Sequence, residues 1–161
     1  MATRKKNETV AVEMAAKVES KSKVPKVKVL TVTGKRKTSI AKATIKEGNG
    51  EIRINKMPLE TFSILRRLYL IEPLRIAEGV IGDQLKRLSI NVTVAGGGSE
   101  SQTEASRLAI AKSLWGYTSN QDLKNAFVKY DRSLLVADVR RKEMRKPGDS
   151  KARKRRQTSY R

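Results

Sequence analysis

Residues 88–114 read LSINVTVAGGGSESQTEASRLAIAKSL. From 88 to 95 apolar and polar residues alternate and β-branched types are prominent, the period of a strand with one face buried. Gly96-Gly97-Gly98 ends that run. From 101 to 115 Ala105, Leu108, Ala109, Lys112 and Leu114 recur at helical spacing. A strand, a glycine turn and a helix in immediate succession imply a sheet covered by a helix, so the fold class is α+β.

Upstream, VKVLTVT from Val27, IAKATIK from Ile40 and EIRIN from Glu51 repeat the alternation and predict three further strands. Gly48-Asn49-Gly50 separates the second from the third and reads as a hairpin turn, which would make those two strands antiparallel neighbours. Pro58 suits a first helical turn. Leu59, Phe62, Leu65, Leu68, Tyr69 and Leu70 follow at helical spacing, and Pro73 interrupts before Leu74, Ile76, Ala77, Val80 and Ile81, so two short helices broken near Glu72 are expected. Downstream, residues 120–130 predict a short helix, and Leu134-Leu135-Val136-Ala137 is either a strand or a last core-facing segment.

The expected organisation is a single domain over 27–139, a mainly four-stranded sheet with helices on one face. It is flanked by a flexible basic N-terminal extension over 1–26, with one weak amphipathic turn at 10–18, and by an extended cationic C-terminal tail over 140–161. No repeats or heptads occur. The apolar stretch at 10–18 is broken by Glu13 and Lys17, and no window approaches a membrane span.

Charge points to the partner. Thirty-six Lys and Arg against sixteen Asp and Glu give +20 over 161 residues. Residues 1–30 carry +5, residues 31–139 carry +6, and the last twenty-two residues carry +9. The central excess is compatible with a packed domain having one cationic face, whereas the terminal density opposes packing and predicts a tail that is unfolded until a polyanion neutralises it. The chain has no Cys and no His, which removes disulfides, thiolate nucleophiles, zinc knuckles and the usual general base near neutral pH. The acidic residues are scattered; Glu72 with Glu78 and Glu100 with Glu104 fall on predicted helices, where surface pairing explains them better than paired-carboxylate catalysis. No enzyme activity, cofactor, metal or small-molecule substrate is expected, and a cytosolic setting fits.

Two loops combine cations, hydroxyls and glycine in the way phosphate oxygens favour. Gly34-Lys35-Arg36-Lys37-Thr38-Ser39 joins two strands and presents three cations beside a glycine. It is not a nucleotide-binding P-loop, because position 29 is Val and the residue after Lys35 is Arg36. Gly96, Gly97, Gly98 and Ser99 precede a helix whose N-terminal amides and dipole favour an anion. The dinucleotide fingerprint is absent, since position 101 is Ser, and Ser99 or Ser101 also suits a helix cap, with Glu104 completing a capping box with Ser101.

The tail, RRKEMRKPGDSKARKRRQTSYR, is divided by Pro147-Gly148. Arg140, Arg141, Lys151, Arg153, Lys154, Arg155 and Arg156 offer phosphate recognition, and Gln157 to Arg161 add hydrogen bonders and one aromatic. On these residues alone a generic polyanion binder or a DNA-compacting protein remains open beside an RNA binder.

Taken together these stretches resemble the small-subunit ribosomal protein nine family, from about Val27 to Arg161. The most specific piece is GGGSESQTEASRLAIAKSL, with Gln102 beyond the glycines; TGKRKTSIAKA, GNGEIRIN with Pro58-Leu59-Glu60 and the basic end follow the family order. Ser159-Tyr160-Arg161 is similar to the archaeal and eukaryotic branch. The resemblance implies a protein of the small-subunit head, cytoplasmic and ribosome-bound, with ribosomal RNA and neighbouring head proteins as partners and no membrane. It implies ribosomal RNA contacts at Gly34, Lys35, Arg36, Lys37, Thr38, Gly96, Gly97, Gly98, Ser99, Gln102 and the tail cations, and contact of Ser159, Tyr160 and Arg161 with peptidyl-site transfer RNA. It also implies the ribosomal βαβ-type fold, shared with the protein subunit of ribonuclease P and containing a left-handed crossover.

Overall fold

The computed structural model describes residues 28–147 and 151–153. The expected extension over 1–26, its turn at 10–18 and the end of the expected tail, 154–161, lie outside the described residues.

The alternating stretch at 88–95 becomes the central strand of the sheet. In chain order the strands are β1 (Leu30–Arg36), β2 (Ser39–Glu47), β3 (Ile52–Ile54), β4 (Met57–Pro58) and β5 (Leu88–Ala95). They lie side by side as β1-β2-β5-β3-β4. Three α-helices join them: α1 (Ile64–Ile81), α2 (Ser99–Thr118) and α3 (Gln121–Tyr130). The α+β class and the single sheet are as the sequence implies.

The fifth strand, β4, is the short addition. Asn55 and Lys56 have φ of 50° and 69°, the left-handed geometry of a two-residue type I′ turn. It folds Met57 and Pro58 back onto Ile54 and Arg53. Pro58 therefore ends a strand rather than opening a helix; a 3-10 turn at Leu59–Thr61 follows, and α1 starts only at Ile64.

The expected β2–β3 hairpin does not form. β5 lies between the two strands, antiparallel to β2 from Ile40↔Ala95 to Glu47↔Leu88 and parallel to β3 from Ile52↔Ile90 to Ile54↔Val92. β5 buries Leu88, Ile90, Val92 and Val94 on one face, and a strand this apolar has all its backbone groups satisfied only with a neighbour on each edge. Gly48-Asn49-Gly50 instead carries the chain across the start of β5: the Gly48 amide donates to the Arg87 carbonyl at 2.8 Å and the Asn49 amide to Ser89 Oγ at 3.1 Å.

The expected break at Pro73 is also absent, and α1 runs through it for 18 residues. Proline removes one helical hydrogen bond, a cost of about 3 kcal/mol. Leu70, Pro73, Leu74 and Ala77 are all buried in α1, and their spacing makes one continuous apolar stripe that a break would split. Residues 134–137 form no strand. Asp131 turns the chain by accepting the Ser133 amide at 2.8 Å, a 3-10 turn spans Arg132–Leu134, and Leu134 is fully buried beneath it. From 135 to 146 the chain has no regular structure.

Small side chains set the spacing of the layers. Gly34, Ala41 and Ala43 on the sheet face Ala105 and Ala109 among the fully buried residues of α2, so the helix axis lies close to the strands. Ile45, Ile90, Val92, Ile110, Leu114, Leu123 and Phe127 fill the rest of the core. The helices cover one sheet face and leave the other open. Among the described residues no helix is long and apolar enough to cross a membrane.

Candidate nucleic-acid interface

The two phosphate-favouring loops, nearly sixty residues apart in sequence, meet at one end of the sheet. The register places Ile40 beside Ala95, so the β1–β2 turn adjoins the glycines that follow β5. Ser39 is fully buried; its hydroxyl lies 2.9 Å from the Gly96 carbonyl, to which it donates, and 2.8 Å from Ser101 Oγ. Gln102 Nε2 donates to the same carbonyl at 3.1 Å. Gly96 and Gly97 have φ of 78° and 67°, and a Cβ on Gly96 would stand 2.7 Å from the Thr38 carbonyl. Glycine is required here because the loop packs on the backbone of the turn in a left-handed conformation.

The start of α2 is tied down locally. Ser101 Oγ accepts the Gly98 amide at 3.1 Å, which is the Ser101 half of a cap. Glu104 does not complete it, because its carboxylate faces Arg36. The expected loop over Gly34–Ser39 is shorter than its composition suggests: Gly34, Lys35 and Arg36 end β1, Ser39 opens β2 and only Lys37 and Thr38 form the turn; its three cations divide. Arg36 is held between Glu104 and Asp138, joining β1 to α2 and to the segment beyond α3. Lys35 and Lys37 are exposed and have no ion-pair partner among the described residues. Lys37 sits at the tip with φ 52°. Gly34 is buried against α2, where a Cβ would overlap the Ala105 carbonyl; the helix backbone occupies the space its missing side chain leaves.

Ser99 and Arg66 make a further tie at 3.0 Å, and Arg66 Nε reaches Glu100 at 3.2 Å. Arg66 and Ser39 carry structural weight that the sequence pattern did not mark, and Ser101, marked as a helix-cap residue, also meets Ser39. Ser39 was visible only as the end of a cation-rich loop. Arg140 and Arg141 are exposed on the unstructured segment, where the Arg140 amide donates to Asp138 at 2.8 Å. Lys151 is exposed, and Arg153 reaches Glu143 at 2.8 Å. Lys154, Arg155, Arg156, Ser159, Tyr160 and Arg161 lie outside the described residues.

A second charged cluster lies within the helical layer. Arg107 of α2 stands 2.6 Å from Glu72 of α1 in an ion pair that is not aligned as a hydrogen bond, and donates to Asp131 at 3.0 Å. Burial raises the Asp131 carboxyl, but the Ser133 hydroxyl and amide and then Arg107 outweigh it and hold it below its ordinary value. Tyr117, at the far end of α2, is raised by burial and by its hydrogen bond to Glu47. Tyr130 is raised chiefly by Glu72. Glu72, Glu100 and Glu104 of the acidic groups named in the sequence thus serve as arginine partners.

Two exposed lysines and left-handed glycines braced on a helix start combine positive charge with backbone amides, the chemistry that suits an anion. Comparison with known proteins gives the family. The sequence pattern of the family described as Ribosomal protein S9/S16 matches residues 34–161. The small ribosomal subunit protein uS9 of Methanococcus maripaludis strain S2 is 45% identical over 138 residues, covering 84% of this chain and 100% of that protein. The proteins of the same name from M. maripaludis strain C7 and from Methanococcus vannielii strain SB are each 44% identical over 138 residues, with the same coverage. The resemblance carried by the glycine turn, the two strand motifs and the basic end is therefore one of descent, and the chain belongs to the ribosomal protein S9/S16 family.

Proposed function

We propose that this protein is a structural component of the small ribosomal subunit, in its head, where it binds ribosomal RNA and extends its C-terminal tail to the anticodon stem-loop of peptidyl-site transfer RNA. The observation that carries the reading is the joining of the end of β1 and its turn, Lys35 to Thr38, to the Gly96–Ser99 loop by Ser39 and Ser101. That joint fixes two exposed lysines beside a helix start, a rigid phosphate-binding corner. Arg36 contributes by holding the corner to α2, and Gln102 by holding Gly96. Neighbouring head proteins are the remaining partners, and the setting is the ribosome in the cytoplasm. The role is structural, since the nearby carboxylates are committed to arginines.

Affinity of the full chain for a small-subunit ribosomal RNA transcript is expected to fall with salt by about 0.7–0.9 log unit per log unit for each phosphate contacted. Lys35→Glu with Lys37→Glu should flatten that slope by about 1.4–1.8 and weaken binding on the order of tenfold at moderate salt, while the far-ultraviolet circular dichroism and Tm stay unchanged. A flat wild-type slope in filter binding overturns the phosphate-dominated reading.

The tail prediction is separate. Deleting residues 159–161 is expected to weaken transfer-RNA retention in the peptidyl site of assembled small subunits several-fold while leaving incorporation into subunits intact. Equal retention by deleted and full-length particles overturns the transfer-RNA contact and leaves the ribosomal RNA role standing.

A further inference from the structure

The sheet face turned away from the helices carries a charge pattern that extends well beyond Lys35, the residue of the phosphate-binding corner that shares this side. The register sets its side chains in rows across the strands. Lys42 of β2 lies between Thr33 of β1 and Thr93 of β5. Thr44 lies between Thr31 and Asn91, and Asn91 is followed across the sheet by Arg53 of β3. Lys46 lies beside Ser89. Lys42, Lys46, Thr33, Thr93 and Asn91 are exposed. Lys42 and Lys46 stand about 13 Å apart along the strand, with Arg53 in the intervening row, about 12 Å from each.

Two features distinguish this face from an ordinary wet sheet surface. Wet surfaces intersperse both signs of charge, yet β1, β2 and β5 present no acidic side chain on this side. Glu51, at its margin, is 2.7 Å from Arg53, and among the described residues neither Lys42 nor Lys46 has an ion-pair partner. The strands also carry no aromatic residue, so the face has no platform for stacking unpaired bases. Cations, hydroxyls and one amide without aromatics match a sugar-phosphate backbone and its 2′-hydroxyls, read by shape and charge.

We propose that the open sheet face is a second ribosomal RNA surface, which seats the backbone of a paired RNA segment on Lys42 and Lys46 with the flanking threonines and Asn91 turned to 2′-hydroxyl and phosphate oxygens. The proposal rests on the ribosomal RNA-binding reading above and extends it from the turn at Lys37 and Thr38 across the open face, which Lys35, beside Ile40, shares with Lys42 and Lys46.

The test uses the full-length chain carrying Lys42→Gln and Lys46→Gln. Both positions are exposed, so the Tm should match wild type. Binding to a small-subunit ribosomal RNA transcript is expected to weaken about five- to tenfold near 0.1 M salt, and the salt slope to flatten by about 1.4–1.8 for two lost phosphate contacts. In reconstituted small subunits, lysine-directed crosslinking should join Lys42 and Lys46 to RNA. Unchanged affinity and slope in a variant that melts like wild type overturns the proposal, as does crosslinking of these lysines to a neighbouring protein. If Lys35→Glu with Lys37→Glu weakens binding and the glutamine pair does not, only the sheet-face proposal falls. If wild type shows no salt-dependent binding, the underlying RNA reading falls with it.

Discussion

Arg107→Met is expected to lower stability by about 3 kcal/mol or more, a fall of about 10 °C in Tm. Arg107 is 13% exposed and faces Glu72, 21% exposed, and Asp131. Methionine keeps much of the volume but leaves two carboxylates without their counter-ion in a largely buried place, and an unpaired buried charge is costly where an intact pair is near neutral. The cluster joins α1, α2 and the turn after α3, so its loss loosens the whole helical layer. Adding Glu72→Gln should recover part of the loss, since it removes one stranded charge; a double variant less stable than Arg107→Met alone would contradict this account.

The same cluster sets an acid response. Asp131 titrates below its ordinary value in the folded chain, so its contribution to stability is complete above the unfolded carboxyl range and is lost as pH falls below it toward the folded value. In Arg107→Met that acid dependence should weaken, measurable as a smaller drop in Tm between neutral and acidic buffer.

Gly34→Val is the second large effect, with an expected loss of about 3 kcal/mol. A Cβ at this position overlaps the Ala105 carbonyl and comes within 2.8 Å of the Ala109 amide and 3.0 Å of its Cβ. Those atoms belong to the helix itself and do not move aside as a flexible side chain would. Valine therefore pushes α2 off β1 and disturbs the joint between Ser39 and the glycine loop. Gly79 provides the contrast: it lies in α1, and a methyl added there would meet nothing within 4 Å, so Gly79→Ala should stabilise by about 0.5–1 kcal/mol. Equal effects at the two glycines in thermal melts would refute the packing argument.

The elements with a clean period were legible from their residues. The alternation in 40–46 and 88–95 and the helical spacing in 101–115 reflect burial on one face, which acts locally on every residue of the segment. Neighbours in space were less accessible. Gly48-Asn49-Gly50 has the composition of a hairpin turn, but which strand pairs with β2 depends on the apolar load of β5, forty residues further on. Pro73 shows the same limit: its local penalty is real, and the stripe of Leu70, Leu74 and Ala77 overrides it. At the candidate site the cations and glycines were visible, whereas the division between Arg36, engaged by Glu104 and Asp138, and the free Lys35 and Lys37 depends on tertiary placement.

The position of β5 also fixes an order of assembly. β1 with β2 and β3 with β4 are local hairpins that close soon after their residues are available, but the two hairpins share no hydrogen-bonded edge until β5 enters between them. On a chain growing from its N-terminus at about 5–20 residues per second, the interval between completing β2 and completing β5 lasts a few seconds. Throughout it the inner edges of β2 and β3 are open to pairing with other chains. A translation pause before β5 has emerged from the ribosome would prolong that exposure, whereas a pause after its emergence would find β5 free to close the sheet.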